Sequence, residues 1–457
     1  MPHAQFVRAR VTATATQSFN AQISFERVDL QKVAQLMFTL MLRNAASDGF
    51  SFIDPNSDVL SLPGCIVAAP SYKGNTNGID QDYIYNWTRD AAITAMEIAV
   101  ANIPTAPGGG VETLIDYVNF ARICQGNASA AGHFSRASFL VDGELRDWSD
   151  QNDGPALQTL AILQAYDQLD AATQVVATTV INNNVNFLVG AYQNPTQNLW
   201  EEVFGFSFFA RSVILRCFET VKTNTIGIPV PANVDAIIAT LQNDLRSHWN
   251  GTGYISILAA PGSNLEPEYD PNIDIVSACI YGAVPAIDTR LLATAAQLRS
   301  QWAVPGQFFY PINGNDQARG IGPLLGRYPG DKYDGDVANL SAGGHPWAVC
   351  TCNFAELYFR LASEIAKPNP VPLDALSAPF FQQVGIDGIT APVDAANKLN
   401  DAGESMLQAV IFHSDHLELS EQFDGTNGFE KSVKNLTWSY AAFLSAVRAR
   451  TGQAVRG

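Results

Sequence analysis

No apolar run in the 457 residues approaches the roughly 20 that a bilayer-spanning helix needs, so a soluble chain is expected. Basic charge is also short. The 27 Lys and Arg against 44 Asp and Glu leave a net charge of −17, and a polyanion or an anionic lipid surface would be repelled across most of such a molecule. Neither nucleic acid nor a membrane is therefore expected as a partner. Six cysteines are too sparse for a disulfide-built scaffold and read as buried small hydrophobes. Cys350-Thr-Cys352 has no second Cys or His pair at ligand spacing, and His345, His413 and His416 share none with it, so no metal is expected. Short repeats and low-complexity tracts are missing, which gives no support to a solenoid. Met1 to Phe19 builds no apolar segment of the kind a secretory signal needs, and Val33 to Leu42 reads as a core helix. A cytoplasmic location is the default expectation, with export by another route left open.

What the chain does have is 47% apolar and 16% charged residues, the composition of a globular protein of one domain or two. Its pattern is helix after helix. Leu114, Tyr117, Val118 and Ala121 recur at i, i+3, i+4 and i+7, as do Phe354, Leu357, Tyr358 and Leu361, and again Tyr440, Phe443, Leu444 and Val447. With weaker candidates the spacing predicts helices near 27–45, 89–103, 111–126, 154–169, 172–192, 206–221, 231–247, 273–283, 288–302, 345–363, 400–413 and 435–450. Between them lie long polar or Gly/Pro-rich connections at Ser51–Gly78, Gln125–Asp153, Tyr254–Asn272, Val304–Gly344, Pro368–Val393 and His416–Lys434. Connections of that length in a compact domain are usually functional. Their recurrence at alternate junctions predicts helical hairpins in a ring, with the long loops on one face; an irregular all-α domain is the plainer alternative.

Those connections hold the chemistry. Gln81 to Asp90 packs three aromatic rings beside the pair Arg89-Asp90, a combination that stacks on sugar faces and bonds to hydroxyls. The same segment also reads as a helix cap with Asp90 near the N-terminal dipole. Leu199-Trp-Glu-Glu-Val203 sets adjacent carboxylates against Trp200 and an apolar run, where crowding and burial raise a carboxyl pKa into the range of a general acid; two exposed glutamates in a first helical turn are the alternative. Ser420-Glu-Gln-Phe-Asp424 supplies a carboxylate far away in sequence. Glycoside hydrolysis needs two such groups flanking one bond, which a closed ring of helices could bring together.

Taken in order, these segments resemble glycoside hydrolase family 15, the glucoamylases, from about Cys65 to Arg450. Tyr83-Ile-Tyr-Asn-Trp-Thr-Arg-Asp90, Gln151-Asn-Asp-Gly-Pro-Ala-Leu157, Leu199-Trp-Glu-Glu-Val203, Gly326-Arg-Tyr-Pro-Gly-Asp331 with His345-Pro-Trp347, and Ser420-Glu-Gln-Phe-Asp424 with Leu436-Thr-Trp-Ser-Tyr-Ala441 each match a family segment, in family order. The resemblance implies an all-α (α/α)6 barrel with the active site in the long loops. By position it implies Glu201 as general acid and Glu421 as general base of an inverting reaction, with carboxyls roughly 6.5–9.5 Å apart. It also implies Arg89 and Asp90 on the terminal glucose hydroxyls, Tyr83 and Trp87 lining that subsite, and Trp148, Glu202 and Arg327 near the cleavage point. The implied activity is release of β-D-glucose from non-reducing ends of α-1,4-glucans such as maltooligosaccharides, dextrins, glycogen or soluble starch. No cofactor is implied, and a monomer is expected. The expected organisation is one catalytic domain over 1–457, its first 25 or so residues extended, with no starch-binding domain after Arg450.

Some positions depart from the family pattern. Asn198 stands where an Asp three residues before the acid is common, so the pH limb set by that acid should be displaced. Trp148-Ser-Asp-Gln151 is one residue shorter than the usual Trp-Gly-Arg-Pro-Gln and lacks its arginine. His345 replaces an Asn, and Tyr333 to Gly344 is long. Asp331, Asp334 and Asp336 cluster there, most simply as a polar turn. Asn86-Trp-Thr88 and Asn435-Leu-Thr437 are glycosylation sequons inside site or core segments, where a glycan would not fit. Alternative readings are a relative acting on other α-glucosides, such as dextran ends or trehalose, and a non-catalytic glucan-binding or regulatory barrel. The presence of both Glu201 and Glu421 argues against the last.

Overall fold

A computed structural model describes residues 28–54, 56–71, 82–103, 110–336, 343–366 and 371–455. The stretch 1–25 expected to be extended lies outside the described residues, as do 72–81 and 337–342 within the predicted connections. In chain order the helices are α1 (Leu30–Leu42), α2 (Thr88–Ala101), α3 (Gly110–Ala131), α4 (Asp153–Ala165), α5 (Ala171–Ala191), α6 (Phe208–Lys222) and α7 (Val234–Ser247). They continue as α8 (Asp274–Tyr281), α9 (Thr289–Ala303), α10 (Pro311–Arg319), α11 (Ala348–Ala366), α12 (Ala378–Gln382), α13 (Pro392–His413) and α14 (Thr437–Thr451).

Twelve of these make two concentric rings. Helix α2 packs on α4, α4 on α6, α6 on α8, α8 on α11, α11 on α14, and α14 returns to α2. Outside them α1 lies on α14, α3 on α2, α5 on α4, α7 on α6, α9 on α8 and α13 on α11. The fold is an (α/α)6 barrel. Burial follows the ring: all eight residues of α8 and every residue from Thr437 to Val447 of α14 are buried. The outer α7 buries only Val234, Ile237 and Leu241, a single stripe at helical spacing.

Two elements were absent from the expected set. α10 and α12 lie in segments read as loops, and both pack on α9. Each begins with a proline in its first turn, where the missing N–H costs nothing. α13 begins at Pro392 rather than near 400 for the same reason. The predicted alternation of long loops fails once: Pro368–Val393 precedes an outer helix, α13, whereas the other five long connections precede inner ones.

Short antiparallel pairings stitch together the segments that enter the inner ring. β1 (Asn86–Trp87) pairs with β2 (Ser138–Phe139), β3 (Thr196–Gln197) with β4 (Phe204–Ser207) and β4 with β5 (Ile257–Leu258), and β6 (Gln422–Phe423) with β7 (Glu430–Lys431). Gly205 is required in β4, because a Cβ there would stand 2.4 Å from Ile257 Cγ2. These pairings place the turn 198–203 and residue 421 at the N-terminal ends of α6 and α14.

Candidate active site

One cavity of about 340 Å³ opens at the rim formed by the N-termini of the inner helices. Its lining comes from the segments leading into α2, α4, α6, α11 and α14, five helices whose positive dipole ends lie on this side. It includes all nine residues singled out above: Tyr83, Trp87, Arg89, Asp90, Trp148, Glu201, Glu202, Arg327 and Glu421.

Glu201 sits at the tip of the β3–β4 turn with φ 65°, a left-handed conformation that non-glycine residues adopt at a cost. Asn198 holds that turn. Its Oδ1 accepts the N–H groups of Glu202 (2.9 Å) and Val203 (3.0 Å), its carbonyl accepts that of Glu201 (3.0 Å), and its amide donates to the Tyr269 hydroxyl. The Glu201 carboxylate receives two indole N–H bonds, from Trp87 to Oε1 (2.8 Å) and from Trp148 to Oε2 (2.7 Å), with Arg89 Nη2 at 3.6 Å. Burial raises its pKa, and Arg89 and the two indoles oppose the rise.

Glu421 stands immediately before β6 and has a different set of donors. Ser432 Oγ (2.5 Å) and Tyr333 Oη (3.0 Å) donate to Oε2, and Tyr83 Oη (3.1 Å) donates to Oε1. Burial raises this carboxyl too, while the three hydroxyls, followed by Arg327, favour its ionised form. Tyr83 and Trp87 pack with ring centroids 5.6 Å apart. One five-residue segment therefore touches both carboxylates.

Around this pair lie two buried arginines. Arg89 donates to Gln151 Oε1 (2.7 Å) and pairs with Asp153 (3.5 Å) at the start of α4. Its own burial works against its charge, and Asp90, Asp153 and Glu201 more than restore it. Asp90 is pushed up to about 6, chiefly by desolvation, with Arg89 opposing. Arg327 is clamped by Asp331 (2.8 and 2.6 Å) and by Glu202 Oε1 (2.7 Å), whose other oxygen accepts from Tyr328 (2.8 Å). Among the described residues lining the cavity, the buried Trp347 Nε1 has no hydrogen-bond partner, and the buried Arg89 Nε and Asp90 Oδ2 face each other as an ion pair at 3.4 Å. An unsatisfied buried donor is costly, and a ligand hydroxyl, which both donates and accepts, suits the Trp347 N–H and the Arg89–Asp90 pair alike.

The structure also brings residues to the cavity that the sequence reading passed over. Trp200, Trp347 and Trp438 form an aromatic wall, with Trp200 centroids 5.6 and 6.2 Å from the other two. Each stands beside a motif residue in the sequence, which was the available signal. Tyr333 arrives from the long loop before α11, and Arg146 enters two residues ahead of Trp148, so the shortened loop does bring an arginine to the cavity. The cluster Asp331, Asp334 and Asp336 is engaged by neighbouring side chains: Asp331 by Arg327, Asp334 by His345 Nε2 (3.0 Å) and Lys431 (3.2 Å), and Asp336 by Lys431 (3.2 Å). Among the described residues no group of three or more His, Cys, Asp or Glu is arranged to hold a metal. All six cysteines are buried and unpaired, including Cys350 and Cys352 inside α11.

A closed double ring of helices with two separately hydrogen-bonded carboxylates in one rim cavity, Glu421 buried and Glu201 half-buried, is an arrangement able to hydrolyse a glycosidic bond. Comparison with known proteins gives the family. The model of the glycosyl hydrolases family 15 matches residues 39–448, and the chain belongs to that family. It is 27% identical to glucoamylase 1 of Rhizopus oryzae, covering 86% of this chain and 67% of the relative. It is 26% identical to a probable glucoamylase of Schizosaccharomyces pombe, over 91% and 90%. Its fold is similar to that of the family 15 glucoamylase from Hypocrea jecorina, with a TM-score of 0.76, 22% identity and coverage of 93% of this chain and 72% of that one. The glucoamylase of Saccharomycopsis fibuligera gives a TM-score of 0.72 at 20% identity, over 94% and 98%.

Proposed function

We propose that the protein is an inverting, exo-acting glucan 1,4-α-glucosidase that releases β-D-glucose from the non-reducing ends of starch-type oligo- and polysaccharides. The observation that carries this is the pair Glu201 and Glu421, lining one cavity with unlike donor sets. In this reading Glu201, its carboxyl raised by burial, is protonated and gives its proton to the glycosidic oxygen as the bond to the anomeric carbon breaks. Glu421 is ionised, held so by three hydroxyl donors, and takes a proton from the water that attacks the other face of the same carbon. Arg89 and Asp90 bond to hydroxyls of the terminal glucose, and Tyr83 and Trp87 line its subsite. Trp148, Glu202 and Arg327 contact the sugar on the leaving side. A small rim cavity above a filled barrel admits a chain end rather than a chain interior, in keeping with exo attack.

Proton NMR of fresh maltoheptaose digests, followed before mutarotation, tests this. The expected result is early β-glucose, with a loss of 10²-fold or more in kcat for Glu421→Gln and for Glu201→Gln. Early α-glucose would overturn the inverting mechanism. Turnover of isomaltose or trehalose with none of maltoheptaose would move the substrate to other α-glucosides. Unimpaired binding with no hydrolysis of any of them would leave a glucan-binding module.

A further inference from the structure

Both hydrogen-bond donors to Glu201 are indoles, and neither is held by another hydrogen bond at the ring. Trp148 is 37% exposed and stands on a loop. What sits against both rings is the Arg146 guanidinium. Its Cζ lies 4.0 Å from the Trp148 ring centroid, 5.0 Å from that of Trp87 and 4.0 Å from that of Tyr85. The two indoles meet edge to face at 6.0 Å, so one planar cation touches each member of the pair that donates to Glu201. Tyr85 is itself fixed, donating to Asp82 (3.1 Å) and accepting from Asn56 (2.8 Å). The buried Arg136 donates to the Trp148 carbonyl and pairs with Asp150 (3.2 Å), which ties down the loop backbone but not the indole.

We propose that Arg146 is a positioning residue for the general acid: stacked between Tyr85 and Trp148, it aims the Trp87 and Trp148 N–H groups at Glu201. This rests on Glu201 being the acid. A flat guanidinium can cover two aromatic faces at once and an ammonium cannot, so the role belongs to arginine in particular. The charged groups facing Glu201 are Arg89 and Asp90 from α2, Asp153 from α4, Glu202 beside it, Arg327 from the loop before α11 and Glu421 across the cavity, besides Arg146 itself. Among the described residues no other arginine or lysine stands over either indole ring.

The test is the pH dependence of kcat and kcat/KM for Arg146→Lys and Arg146→Gln on maltose and on 4-nitrophenyl α-glucoside, with thermal unfolding to show that each variant folds. A looser indole pair stabilises the ionised Glu201 less, so the limb set by the acid moves to higher pH, by about one unit for one charge-assisted bond. Lys should behave like Gln, because the charge is kept while the stack is lost. The loss of kcat should be about tenfold on maltose and much smaller on the aryl glucoside, whose leaving group needs little protonation. A wild-type profile for Lys with a shifted one for Gln would reduce Arg146 to a charge. Equal losses on both substrates would make it a binding residue. Glu201→Gln separates the premise: it should lose maltose turnover far more than aryl glucoside turnover. If it does not, the acid assignment has failed rather than the clamp.

Discussion

Asn198 is fully buried and shapes the turn that presents Glu201, yet it contributes no charge. Its Oδ1 accepts two backbone N–H groups and its amide faces a hydroxyl that can turn to donate. An aspartate fits the same bonds and adds a negative charge behind the acid. Asn198→Asp should therefore keep the fold and raise the Glu201 pKa further, moving the limb set by the acid upward by about one pH unit; a superimposable profile would sink the idea. Ser432 acts on the other carboxylate. Removing its 2.5 Å bond in Ser432→Ala withdraws a donor from ionised Glu421, so the acidic limb should also move up, with activity lost first at low pH. Glu201, Glu421, Arg89 and Arg327 were legible in the sequence because each lies within a contiguous segment of recognisable type. Ser432 and Arg146 were not: Ser432 reaches Glu421 across the β6–β7 hairpin at φ 63°, and Arg146 reaches the indoles only after the 136–150 loop folds back on β1. A partnership created by folding leaves no local pattern to read.

At the scale of the helix, the inner ring keeps its chemistry at one end and a second, separate set of ion pairs further along. Glu97 and Arg448 meet at 2.6 Å roughly 15 Å along α2 and α14 from the rim, at 1.5 Å per residue. Arg360 likewise pairs with the buried Glu356 at 2.6 Å and donates to the last carbonyls of α8. Arg448 lies in the last turn of α14 and Arg360 meets the C-terminal carbonyls of α8, where the dipole favours positive charge. Burial raises the Glu97 carboxyl and Arg448 opposes that rise, so taking the cation away strands a buried carboxylate. Arg448→Met should cost about 3 kcal/mol in thermal or denaturant unfolding while kcat/KM on maltose stays within about twofold at 25 °C. A drop in kcat/KM with unchanged stability would contradict this separation. The helices were legible where apolar stripes are strong, but the stripe understated the inner ones. α14 buries Thr437 and Ser439 as thoroughly as Phe443, because Thr437 bonds to the Val67 carbonyl (2.6 Å) and Ser439 to that of Ser420 (3.0 Å). Small polar residues whose partners lie in another segment look like surface until the ring closes.

For the molecule as a whole, the charge of −17 and a set of protonatable buried carboxyls act in the same direction. Desolvation pushes Asp90 and Asp270 up to about 6, and Asp274 and Glu430 up to about 7. In the unfolded chain these groups would ionise near pH 4. Between about pH 4 and 7 the folded state thus binds more protons than the unfolded one, and stability falls as pH rises through that window. The carboxyls held below their ordinary value, such as Asp170 and Asp374 at helix and turn caps, act only below it. Self-repulsion of the excess acidic charge adds to the loss at neutral pH and is the part that salt screens. The expected outcome is a Tm on the order of 5 °C higher at pH 5 than at pH 8. Asp274 offers the sharpest check, since its Oδ2 accepts from Ser256 (2.5 Å) while Oδ1 has no partner in a fully buried site. Asp274→Asn removes its titration and keeps an acceptor for Ser256. It should flatten the decline of Tm between pH 5 and 8 with little change at pH 5, and an unchanged slope would mean that Asp274 does not hold its proton in the folded protein.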